Sequence, residues 1–550
     1  MKRLAIWTVL LLIVASAGGA SNSSGSAATN TYWEDGVQAV LPAHAATGDH
    51  QVVTISSVSC TSAGDCSAVG SYRNEAGRPE GLLLTETNGF WESGIEAVLP
   101  AGTIADQLVD LNSVSCSSAG NCSAVGSYYD DSGQEGLLLT ETGGTWAPGL
   151  EAALPANAAV TNYGGAAVSS VSCGSAGNCS AVGAYTDGPG AYAALLLKET
   201  AGSWETGVEA TLPANATGEA AGLNSVSCSS VGNCSAIGSY LDSSGNGPGL
   251  LLTETAGTWG TGVEATLPTN AATTEQFVDM ASVSCASAGN CSAVGTYNND
   301  THSNDAVLLN ETAGTWMPGV KAVLPANGAK DDQVDLHAVS CASATSCAAV
   351  GDYVDHAGNI RGLLLTRTAD KWSKGLEAVL PANATTEAPN QLGGLWSVSC
   401  ASAGNCSAVG SYNDRAERFE GLMVSERGGS WKTGVEAVMR KHARYVAGRL
   451  LSVSCSSAQY CSAVGGFEQV KGALFNSSPT LPCLVPTLKG RPVRVAKEAI
   501  RAHDCSVGKV TRATSRSIKK GRVISARPRA GTRLDRNARI NLVVSRGRGR

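Results

Sequence analysis

Sixteen of the eighteen cysteines stand in eight Cys-x5-Cys pairs, the first pattern in the chain that could do chemistry. They are Cys60/Cys66, Cys116/Cys122, Cys173/Cys179, Cys228/Cys234, Cys285/Cys291, Cys341/Cys347, Cys400/Cys406 and Cys455/Cys461, with Cys483 and Cys505 left as a ninth pair. Thiols so spaced could bind a metal or close a disulfide. A tetrahedral zinc site needs a companion histidine or a second close pair. The seven histidines follow no repeat-wide pattern and supply neither. An even count at fixed spacing in an exported chain points to nine disulfides and no free thiol.

Other reactive groups do not converge. No arginine lies between Arg78 and Arg361, so half of the repeats lack the cation that would hold a substrate carboxylate. Tyr72, Tyr128, Tyr185, Tyr240, Tyr297, Tyr353 and Tyr412 each close the same short run, which marks them for packing. The acidic stretches at 130–131, 300–305 and 331–335 lack the EF-hand spacing and read as solvated charge rather than calcium sites. We assign no catalytic residue, metal or cofactor from sequence. Paired carboxylates for glycoside cleavage remain open, because the fold sets their spacing.

The elements that hold these residues are repeats. First cysteines recur 55 to 59 residues apart, a period that marks a propeller or solenoid. Each unit has four strand-like runs, as in LNSVSC, CSAVGSY, GLLLTET and WAPGLEAALP between residues 111 and 155. Helical spacing is absent, so a four-stranded blade is expected. The cysteines flank a hairpin turn, where cross-strand neighbours lie within disulfide reach. A tryptophan run at 33–42 precedes the first cysteine pair, and the last unit, 451–478, has no such run after it. The amino-terminal strand should therefore complete the eighth blade and close the ring.

The hairpin TETGGTW at 140–146, and SERGGSW at 425–431, resemble the Asp-box of sialidase-like propellers, with Glu141-Thr142 or Glu426-Arg427 where that motif has its aspartate. The resemblance implies blade geometry and no activity.

Composition divides the chain further. Residues 1–20 have the basic start, short apolar run and small residues of an export signal, too short for a comfortable membrane span, and 21–30 read as a flexible leader. The ring is expected over 31–478 and a linker over 479–483. Residues 484–550 carry 19 Lys/Arg against 3 Asp/Glu, leaving 20 against 43 elsewhere. Helical spacing predicts a helix over 492–503, and alternation predicts strands at 508–515, 522–526 and 539–545.

This segment closely resembles a PASTA domain, through Val485-Pro486, Leu488, Gly490, Ala499, Ala502, the run 521–525, Pro528, Gly531-Thr532 and the run 541–545. The resemblance implies one helix against three strands and binding to peptidoglycan. Arg516, Lys519, Lys520, Arg522 and Arg529 are the expected contacts to that or another anionic wall polymer, in preference to nucleic acid. The fold class is thus all-β: an eight-bladed propeller closed by an amino-terminal strand, plus a small α+β module. The function expected is that of a secreted, wall-associated, monomeric binding protein. Its unknown ligand should meet the face whose loops vary most. The alternative is an exported glycosidase or lyase on the same scaffold.

Overall fold

The computed structural model describes residues 32–101, 103, 108–130, 133–159, 165–329, 333–385, 391–439, 448–467, 471–478, 483–503, 505–534 and 538–547. The export signal, the leader and most of the linker fall outside these residues.

Period-2 alternation and Gly/Asn turns make each unit a four-stranded antiparallel sheet. Blade 2 runs Val109–Ser118, Asn121–Asp130 and Gly133–Thr142, then Thr145–Trp146 and Leu150–Glu151. First strands of blades 1 and 3–8 are Val53–Ser62, Ala166–Ser175, Ala216–Ser230, Val278–Ser287, Val334–Ser343, Gly393–Ser402 and Gly448–Ser457. Cys116 pairs directly with Cys122 across the hairpin, and the same holds in every blade. All eight intrablade disulfides are formed, as is Cys483–Cys505.

The two cysteines of a pair are not equivalent. The second cysteine of every pair is buried: Cys66, Cys122, Cys179, Cys234, Cys291, Cys347, Cys406 and Cys461. The first cysteine is only partly buried in each blade. The cause is contact between blades. Cys234 Sγ lies 3.5 Å from Ser180 Oγ, Cys347 Sγ 3.5 Å from Ser292 Oγ, and Cys461 Sγ 3.4 Å from Ser407 Oγ, each serine belonging to the preceding blade. Cys406 shares an apolar cluster with Ala348, which stands where the other blades carry that serine. These second cysteines therefore belong to the interior packing between blades, although each disulfide itself lies within one blade.

The fourth strand also departs from expectation. It is two short pieces rather than one run, because it turns aside to bond the preceding blade. Gly149 N–H donates to Val98 O at 2.7 Å. A Cβ on Gly149 would sit 2.7 Å from Leu137 Cδ1 and 3.0 Å from Val98 O.

The ring closes as predicted. Tyr32 and Trp33 pair with Ser478 and Ser477, and Val37 and Gln38 pair with Leu474 and Ala473. Trp33 packs on the cluster containing Phe475. Two belts of hydrogen bonds then run unbroken through all eight blades. In the outer belt each Gly149-like N–H reaches the preceding blade at 2.7–2.8 Å, including Gly94 to Val40 and Gly36 to Val438. In the inner belt the first cysteine's N–H donates to a serine Oγ of the preceding blade at 2.9–3.0 Å, from Cys60–Ser454 round to Cys455–Ser399. First strands touch their neighbours in every adjacent pair, blade 8 to blade 1 included, so they surround the axis. Between blades lie apolar clusters of Val, Leu and Ala.

The carboxy-terminal module has a helix, Val493–Ala502, with Pro492 at its N-cap, and a three-stranded sheet of Ser506–Ala513, Arg539–Ser545 and Val523–Arg527 in that order. Ala496 and Ile500 bury against Val523, Ile540 and Leu542. Each predicted element is present, shifted by two residues at most.

Candidate functional site

Fifteen turns lie at the disulfide end of the blades, eight between first and second strands and seven between third and fourth, since blade 8 takes its fourth strand from the amino terminus. The variable connections lie at the other end. At that variable end a second regularity appears that spacing alone did not show. In every blade the first strand carries a β-bulge four residues before its first cysteine, at Ser56, Asn112, Ser169, Asn224, Ala281, His337, Trp396 and Leu451. The glycine of each CSAVG-type run faces this kink. A Cβ there would lie 1.9–2.3 Å from a backbone carbonyl oxygen of the first strand, as Gly126 would from Asp110 O and Gly351 from Asp335 O. Bulges re-aim side chains. These residues keep solvent exposure although they sit on the innermost strands. Two of them, Asn112 and Asn224, donate sideways to the next first strand, at Val168 O and Met280 O, both at 3.0 Å. The bulge positions therefore line the axial mouth.

Their chemistry is uneven round the ring. Blades 1–5 present Ser, Asn or Ala at the bulge, whereas blades 6 and 7 present His337 and Trp396. His337 Nε2 lies 2.9 Å from Asp352 Oδ2, and its ring centroid is 4.5 Å from that of Trp396. Thr296 donates to Asp335 Oδ1 at 3.1 Å. Arg449 of blade 8 stacks over Phe419, 4.8 Å from its centroid. The sequence signal was available: aligned repeat by repeat, this column varies while Leu, Val, Ser and Cys beside it hardly change.

Farther from the axis, the repeat tyrosines are buried, and their hydroxyls do more than pack. Tyr185 donates to Asn157 Oδ1 at 2.9 Å and Glu209 Oε2 at 3.0 Å. Tyr240 and Tyr353 meet Asn215/Glu264 and Asn327/Glu377 in the same way. Burial first, and then the neighbouring glutamate, push the Tyr185 phenol up to about 12. Such phenols stay protonated, and repetition in blade after blade marks them as scaffolding.

The acidic loops need a correction. Asp305 is fully buried, not solvated: it accepts from Asn270 Nδ2 at 2.6 Å and pairs with Lys321 at 2.8 Å. Asp130 and Asp300 are among the described residues, whereas 131 and 331–332 are not. In blade 6 burial would raise Asp355, but bonds from Asn359 and Arg361 outweigh it and hold the carboxyl at about 2. In blade 7 burial, reinforced by Glu436, pushes Glu420 up to about 7.

Two cysteine groups have metal-like proximity, Cys173/Cys179/Glu199 and Cys285/Cys291/Glu311. Their sulfurs are tied in disulfides and offer no thiolate.

In the module, Arg516, Lys519, Lys520, Arg522 and Arg529 are all exposed. The first four follow the strand Ser506–Ala513, with Arg522 Nη1 bonded to Gly490 O at 2.7 Å, while Arg529 follows the strand Val523–Arg527. A separate open hollow is lined by Arg501, Lys509, Arg539 and Asn541, a grouping that the linear sequence did not reveal.

Among solved structures, the ring is similar to a puromycin-hydrolysing peptidase of Mycobacterium tuberculosis, with TM-score 0.37 and 12% identity over 78% of this chain and 61% of that one. A Trypanosoma rangeli sialidase gives TM-score 0.29 and 9% identity over 82% and 59%. A curated relative, a probable serine/threonine-protein kinase of Clostridium acetobutylicum, is 38% identical over 63 residues, which are 12% of this chain and 10% of the kinase. Residues 484–546 match the family model of the PASTA domain.

Proposed function

We propose that this chain is a secreted bacterial wall-binding protein, a monomer whose ring carries a ligand and whose carboxy-terminal module tethers it to peptidoglycan. The division is a signal over 1–20, a leader over 21–30, the ring over 31–478, a linker over 479–483 and the module over 484–550. The observation that carries this reading is a PASTA match on a segment with 19 basic and 3 acidic residues. Nine disulfides support an oxidising, extracellular setting. Arg516, Lys519, Lys520, Arg522 and Arg529 would meet the phosphates and carboxylates of the wall by screened Coulomb attraction.

The test is co-sedimentation of the full chain with purified sacculi. Charge reversal at Arg516, Lys519 and Lys520 together should lower retention several-fold, and salt should lower it further. Equal retention by the reversed variant would remove the tether assignment.

A further inference from the structure

We propose that the axial mouth at blades 6–8 binds a neutral saccharide, one sugar ring lying against Trp396 while its hydroxyls donate to Asp352 and Asp335. This rests on the ring being a ligand platform, and is independent of the tether.

Three features of neighbouring blades converge on one spot. Trp396 occupies a bulge that five blades fill with Ser, Asn or Ala, so the fold itself does not call for an indole there. His337 occupies the adjacent bulge, anchored by Asp352 and set against the indole. Gly394 stands two residues before Trp396, where the aligned positions carry Thr54, Asp110, Ala167, Gly222, Asp279, Asp335 and Arg449, so blades 4 and 7 share a glycine there. A Cβ on Gly394 would lie 3.0 Å from Asp352 Oδ2, tighter than an ordinary contact, and 3.5 Å from Trp396 Cζ2, so the missing side chain makes room for Asp352 and leaves the indole edge in contact range.

The charges select the ligand class. Asp335 and Asp352 of blade 6 are acids of this sector, with Asp279 on the adjoining blade 5, and Arg449 of blade 8 is stacked on Phe419. An anionic polymer would be repelled, whereas carboxylates accept from uncharged hydroxyls without a counterion. A pyranose has one apolar C–H face and an equatorial edge of hydroxyls. That shape fits an indole flanked by carboxylates and imidazole, the few convergent polar groups on an aromatic wall that mark ligand sites.

The experiment is calorimetric titration of the full chain with chitotetraose, cellotetraose and mannotetraose, with spermidine and tetragalacturonate in parallel. At least one neutral tetrasaccharide should bind saturably. Trp396→Ala should weaken it at least tenfold and Asp352→Asn several-fold, while Ser169→Ala, across the axis, should leave it unchanged. Thermal melts check folding, and Trp396→Phe replaces the alanine variant if that one melts early. Binding of none of the three, binding of only spermidine or only tetragalacturonate, or wild-type affinity in the folded Trp396 variant would overturn the proposal. Sacculus retention measured on the same variants should not change, so failure here is separable from failure of the tether.

Discussion

The two ends of each blade follow different rules. At the disulfide end the Ser-Val-Ser-Cys run recurs with few changes, and the inner belt of Cys N–H to Ser Oγ bonds passes through all eight blades. At the mouth end the residues of the same strand change from blade to blade, and ion pairs such as Asp355–Arg361 and Asp414–Arg418 are local to one blade. Bonds that join blades are concentrated where the sequence repeats. The mouth can therefore vary without loosening the ring.

The largest effect should come from opening the belts. Deleting residues through Pro42 removes Trp33, Gly36 and the strand paired with Leu474 and Ala473. It leaves the eighth blade with an unpaired edge and uncouples a nearly linear repeat array. We expect a melting temperature lower by more than 10 °C, or aggregation, against little change on deleting only 1–30. Equal melting of the two truncations would break the link between closure and stability.

Next in size is the kink that joins the two ends. Gly351→Ala places a Cβ 1.9 Å from Asp335 O, so the bulge must flatten or the strands must part. Loss of about 2–4 kcal/mol is expected, from overpacking against backbone. Because His337 rides on that bulge, the environment of Trp396 should change as well, read by fluorescence in the still-folded protein.

Much of this was legible in the sequence, for definite reasons. Cysteines six apart across a hairpin turn fix the pairing of two strands, and the orphan run at Trp33 fixes closure by counting. The helix Val493–Ala502 declared itself through Ala496 and Ile500 on one face. The unequal burial within each disulfide was not legible, because Cys234 is covered by Ser180 of another repeat, 54 residues away. The bulge was hidden, because Gly126 reads equally as an ordinary strand residue until its carbonyl neighbour, Asp110 O, is seen. Asp305 was misread because its partners, Asn270 and Lys321, stand 35 and 16 residues from it in the chain. His337 and Trp396 sit 59 residues apart, in a column whose meaning depends on knowing that it faces the axis.

A smaller effect is expected from a single disulfide. Cys116→Ala with Cys122→Ala releases a loop of only a few residues, worth about 2 kcal/mol in the loop-entropy account. Seven disulfides and both belts remain in the ring, so the melting temperature should fall by only a few degrees. Labelling of the wild type under denaturing, non-reducing conditions should find no thiol. A loss as large as that from opening the ring would mean that the disulfides, not the belts, dominate the uniform end.

The smallest effect sets the two ends against each other through pH. Glu86 lies near the disulfide end, where burial pushes it up to about 7 although Ser462 and Asn476 donate to it. Glu420 lies at the mouth end and is raised to about 7 by burial and by Glu436. In the unfolded chain both return to about 4.3. Between these values the folded state holds more protons than the unfolded one, so this stabilisation is full below about pH 4 and is lost as pH rises through about 7. The melting temperature should therefore drift down by a few degrees between pH 5 and pH 8. Glu86→Gln and Glu420→Gln should each flatten part of that slope, since a neutral amide has no charge to desolvate. Glu86 also joins blade 8 to blade 1 through Ser462, whereas Glu420 bonds within its own blade. If belts at the uniform end carry the ring, Glu86→Gln should change the melting temperature at pH 5 as well as the slope, and Glu420→Gln the slope alone. The reverse pattern would place cooperativity at the mouth.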